Sequence, residues 1–165
     1  MDLKSFTLAA AMVAIPSFAA AQMAVENGYA RSSNPQAGAA FMTIMNMSDA
    51  DDRVVAVTSD AAQRVELHTH IEDTNGVMRM VEVEDGFPIE AGGMLELARG
   101  GAHVMFMGLN GAWENGTEVT FTIEFDHADP MTVTFTVDND RVDGHGGHGG
   151  HGSHGAGHGS HGADS

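Results

Sequence analysis

Val119, Phe121, Ile123 and Phe125 alternate with polar residues, and Val133, Phe135 and Val137 repeat the alternation a few residues later. Side chains on a strand point to opposite faces in turn, so a period of two buries one face and leaves the other wet. Runs of alternating or β-branched character fall at residues 40–46, 53–59, 64–70, 77–84, 94–98, 102–109, 117–125 and 131–137. Turn signals separate them: Asn75-Gly76, Pro88, Gly92-Gly93, Gly100-Gly101, Asn110-Gly111, Asn115-Gly116 and Asp129-Pro130. No helical pattern of comparable length appears. Short strands at this spacing predict an all-β domain, an antiparallel sandwich or barrel, over residues 22–142.

Both ends depart from this pattern. Residues 1–21 read as a secretory signal: Lys4, an apolar run over 6–14, a break at Pro16-Ser17, and the small-residue run Ala19-Ala20-Ala21. Cleavage near Ala21 would leave an exported protein with no membrane span, because the apolar run is too short to anchor in a bilayer. Residues 143–165 hold 10 Gly and 6 His among 23 residues. Nothing there can offset the entropy of ordering, so a disordered tail is expected. Its histidines, His145, His148, His151, His154, His158 and His161, recur every three or four residues, a composition that captures divalent metal.

Composition then narrows the chemistry. With 7 Lys+Arg against 23 Asp+Glu, a net charge of -16 disfavours nucleic acid and anionic lipid as partners. The absence of cysteine excludes disulfides, thiol catalysis and thiolate metal sites. Asp49, Asp51 and Asp52 lack the ordered spacing of a calcium loop. Trp113 reads as packing or a partner contact, and His127 as a solvated turn residue.

The chemistry sits in residues 64–109. Strand parity places His68 with His70, Met78 with Met80, and His103 with Met105 and Met107, each set on one face. Asn75-Gly76 closes the first two segments into a hairpin. Thioether is soft and uncharged and binds hard cations poorly, whereas two imidazoles and two thioethers suit Cu(I). Imidazole must be neutral to bind, so affinity is expected to weaken as pH falls through about 6.5.

Over roughly the whole β domain the chain resembles the periplasmic copper chaperones called PCu(A)C. The likeness rests on His68, Met80 and the closing pair His103-Val104-Met105. It rests also on Val65-Glu66-Leu67-His68, Gly76-Val77-Met78-Arg79-Met80, Pro88-Ile89-Glu90-Ala91-Gly92-Gly93 and the run through Phe106-Met107-Gly108-Leu109. The resemblance implies a cupredoxin-like β-sandwich in the periplasm, with Cu(I) held at its mouth by His68, Met80, His103 and Met105. It also implies delivery towards the CuA centre of cytochrome c oxidase, alongside Sco-type copper proteins. His68 and Met80 are separated by 11 residues, one more than the family pattern, which leaves His70 as the alternative first imidazole. The tail, with imidazole alone, suits Cu(II). Two thioethers bias copper to its lower oxidation state, so no enzyme activity is expected. The competing expectation is a periplasmic protein that sequesters zinc, nickel or copper.

Overall fold

The structure is a computed structural model that describes residues 22–142; the signal at 1–21 and the tail at 143–165 lie outside the described residues. The described chain forms ten strands and no helix. They are β1 (Met23–Asn34), β2 (Ala37–Asn46), β3 (Asp52–Thr58), β4 (Ala62–Glu72), β5 (Met78–Glu82), β6 (Phe87–Ile89), β7 (Met94–Leu97), β8 (His103–Leu109), β9 (Glu118–Phe125) and β10 (Met131–Thr136).

Two antiparallel sheets face one another. The first runs β1-β2-β8-β4-β5, with β7 paired to the second half of β2; the other runs β10-β9-β3-β6. Alternation decides what fills the gap. Ile44, Val104 and Phe106 come from the first sheet and Val54, Phe121 and Ile123 from the second, all fully buried in one core. Phe106 meets Phe121 edge-on at 5.7 Å between centroids, and Phe121 meets Phe135 at 5.0 Å. Each such side chain contributes roughly 1.5–3 kcal/mol by leaving water. Trp113 is part of this core, edge-on to Phe106 at 5.0 Å, so packing is its role.

Two strands escaped the sequence pattern. In β1 the segment Glu26-Asn27-Gly28 looks like a turn, yet the strand continues through it. Asn27 takes φ 55°, and the pairing with β2 slips between Glu26 and Tyr29, a bulge that absorbs the one extra residue. β6 contains Pro88, which reads as a breaker. Pro88 lies opposite Arg53 on the edge strand of the smaller sheet, where the missing N–H faces no neighbouring strand.

Candidate metal centre

Val104 and Phe106 point into the core, so His103, Met105 and Met107 stand on the opposite face of the first sheet. Leu67 is buried in the same core, which sends Glu66, His68 and His70 outward as well. Register then brings the strands' chemistry together. His68 lies opposite His103, Glu66 opposite Met105, and His70 opposite Met80. The side chains therefore gather on the outward face of the larger sheet, near the β7–β8 loop, rather than at the mouth of the sandwich as the resemblance implied.

The β4–β5 hairpin that delivers Met80 is locally specified. The Asp73 carboxylate accepts the backbone N–H groups of Asn75 (2.9 Å) and Val77 (3.0 Å), and pairs with Arg79 at 2.9 Å. Gly76 supplies the left-handed turn position, φ 78°. The turn consumes Val77, so β5 begins at Met78, one residue later than the alternation implied.

On β2, Ala37 lies opposite Met107 and Ala39 opposite Met105. The short side chain of Ala39 borders a depression, an open pocket of ≈ 400 Å³ whose lining includes Phe41, His70, Met80, His103 and Met105. Arg31 and Arg99 also border it, each donating to a main-chain carbonyl of the C-terminal segment, Asn139 and Arg141 respectively. Of the four expected ligands, Met80, His103 and Met105 share this pocket; His68 is outside its lining, with its ring edge-on to that of His103, and His70 occupies its wall. Met80 is 46% exposed, whereas His68 and His103 are buried at 8% and 4%.

Ring spacing permits shared coordination. A metal–nitrogen bond of about 2.0–2.1 Å puts two ligating rings roughly 5–6 Å apart between centroids. The His68–His103 pair is at 5.9 Å and the His70–His103 pair at 5.4 Å. His103 Nδ1 lies 2.9 Å from the Gly101 carbonyl, an acceptor only, so Nδ1 carries the proton and Nε2 keeps its lone pair. Burial lowers the pKa of His103 and keeps it neutral; the Gly101 carbonyl opposes this, and His70 and His68 nearby reinforce it. His68 Nε2 lies 2.8 Å from Glu66 Oε2, while its Nδ1 is buried with no hydrogen-bond partner. Phe41 packs against His103 at 6.1 Å and against Tyr29 at 5.2 Å, forming a small second cluster on this outer face.

Sequence reasoning did not select Glu66, Gly101 or Phe41. Glu66 carries a readable signal, two residues before His68 on the same strand face. Phe41 carries none, because only the pairing of β2 with β8 sets it beside His103. Among the described residues, no three His, Asp or Glu side chains gather as a metal-binding group. A set of more than two protein ligands at this pocket would draw on the thioethers of Met80 and Met105.

Two antiparallel sheets with a histidine- and methionine-lined pocket on one outer face define a cupredoxin-like β-sandwich of the PCuAC class. Solved structures of the class superpose on this chain. The "Copper-bound PCuAC domain from PmoF2" has a TM-score of 0.59 at 19% identity, covering 76% of this chain and 99% of that one. Apo-DR1885 from Deinococcus radiodurans has a TM-score of 0.55 at 26% identity, covering 85% and 95%, and the CuI-DR1885 structure 0.53 at 30%, covering 70% and 79%. The family model described as "Putative lipoprotein LpqE-like" matches residues 23–137, and the chain belongs to that family. A curated relative from Leifsonia xyli subsp. xyli, "Putative lipoprotein Lxx21020", is 37% identical over 99 residues, 60% of this chain; the match spans 59% of that relative's length.

Proposed function

We propose that this protein is an exported copper chaperone that carries Cu(I) as cargo between His68, Met80, His103 and Met105. The observation that carries the reading is the convergence of Met80, from β5, with His103 and Met105, from β8, on one pocket. A soft monovalent ion is the partner that neutral imidazole and thioether select. The 30% identity to a chain solved as CuI-DR1885 supports the same reading. Release follows from exposure. Met80 lies at the surface, so an acceptor's ligand can displace its thioether first while the buried imidazoles still hold the ion.

The destination in this reading is the CuA centre of cytochrome c oxidase in the periplasm, with Sco-type proteins as fellow carriers. The His-rich segment 143–165 takes up Cu(II), and transfer into the thioether site requires an outside one-electron donor, since the chain has no thiol. Arg141 and Val142, just before that segment, line a groove that also contains Phe41, the residue bordering the copper pocket. The link to that segment therefore starts beside the site.

X-ray absorption of the Cu(I)-loaded chain tests this. Two sulfur neighbours are expected, and Met80→Leu with Met105→Leu removes them at a packing cost of less than about 1.5 kcal/mol. A first shell without sulfur overturns the proposal. Selective retention of Zn(II) over Cu(I) after deletion of 143–165 would favour metal sequestration instead.

A further inference from the structure

We infer that Glu66 is the positioning residue that makes His68, rather than His70, the first imidazole ligand, by fixing the tautomer that presents Nδ1. This rests on the Cu(I) site proposed above. Glu66 stands two residues before His68 on the outward face of β4 and lies opposite Met105 on β8. One carboxylate oxygen, Oε1, is 2.7 Å from Arg64 Nε, and the other, Oε2, is 2.8 Å from His68 Nε2. An ionised carboxylate only accepts, so His68 Nε2 must carry the hydrogen. A neutral imidazole has one N–H, which leaves the lone pair on Nδ1.

That Nδ1 is the one buried side-chain nitrogen or oxygen among the described residues that lacks a hydrogen-bond partner. Buried polar atoms are almost always satisfied, and an orphan calls for an explanation. A lone pair held in place, stripped of water and left unpaired is what a metal ligand needs before its ion arrives. Carboxylate–histidine–metal arrangements use this device: the outer partner fixes the ring and raises the basicity of the ligating nitrogen. His70 lacks it. Its Nδ1 approaches the Gly101 carbonyl at 3.4 Å, a long contact with an oxygen that His103 already engages at 2.9 Å. The two buried rings are thus oriented by different means. His103 is held by main chain and offers Nε2; His68 is held by a side chain and offers Nδ1. Only the second can be undone by one substitution.

The test starts without copper. Long-range ¹H–¹⁵N correlation on the full chain should show His68 protonated at Nε2 and His103 at Nδ1. In Glu66→Ala the preference at His68 should be lost while the His103 signals stay in place, which also verifies the fold. Cu(I) competition against a chelator should then show Glu66→Ala binding about 10–100-fold more weakly. Glu66→Gln, which keeps an acceptor, should recover most of that loss. In a His68→Ala background the same Glu66→Ala change should leave affinity where it is. His68 protonated at Nδ1 in the wild-type chain overturns the inference, and so does an equal loss in the His68→Ala background. If His68→Ala binds Cu(I) undiminished while Met80→Leu weakens it, the role assigned to Glu66 fails and the copper site survives. If Met80→Leu is also without effect, the site itself fails.

Discussion

Asp52 begins β3 with its side chain buried, and its replacement by Asn is a sharp test of how the fold is held. Oδ1 accepts the N–H groups of Arg53 (2.7 Å) and His127 (3.1 Å), and Oδ2 accepts that of Ala128 (2.8 Å). One carboxylate thus clamps the β9–β10 turn onto β3. Burial pushes its pKa up, but the donors from Arg53, Ala128 and His127 together outweigh this and hold it below the usual carboxylate range. Asn is nearly isosteric. If its oxygen stays on Arg53 and His127, its NH2 group faces the buried Ala128 N–H, donor against donor. Losing that acceptor costs about 1–3 kcal/mol, and the two remaining bonds lose their charge assistance, so a total near ~3 kcal/mol is expected. At about 0.25 kcal/mol per degree for a domain of this size, Tm should drop by roughly 12 °C. The folded pKa is depressed, so this stabilisation is complete above the unfolded value near ~3.9 and is lost as pH falls through the folded one. Thermal unfolding by circular dichroism should show the full gap at pH 7 and a narrowed gap in strong acid, where a protonated Asp52 presents its own donor. Melting within about 2 °C of wild type at pH 7, or a gap unchanged in acid, would refute the clamp.

Two further outcomes follow from the packing and the titration. A Cβ at Gly38 would sit 2.4 Å from the Trp113 ring, so Gly38→Ala should cost at least ~1–3 kcal/mol and shift the emission of this sole tryptophan; an unchanged spectrum and midpoint would contradict the packing. His103 has a folded pKa below its ordinary value, so the unfolded chain takes the proton first and stability falls as pH drops from about 6.5. Denaturant midpoints of the copper-free chain between pH 7.5 and 5 should therefore fall more steeply than those of His103→Asn; parallel slopes would sink this account.

The sequence by itself determined everything that depends on strand parity. Val119 to Phe125 and Val133 to Val137 announced their strands because water and core impose a period of two, and the same rule put His103 with Met105 and His68 with His70. It was silent where local chemistry and global context disagree. Glu26-Asn27-Gly28 prefers a turn, and only pairing with β2 draws it into a strand; Pro88 breaks an interior strand but not an edge. Parity also says nothing of which residues on neighbouring strands lie level. That His68 is level with His103, and His70 with Met80, comes from inter-strand hydrogen bonds between segments distant in the chain. The burial of His103 against Phe41 comes from β2 pairing with β8. Tertiary structure alone decided these matters, because a nitrogen's accessibility and protonation depend on what the folded chain brings against it.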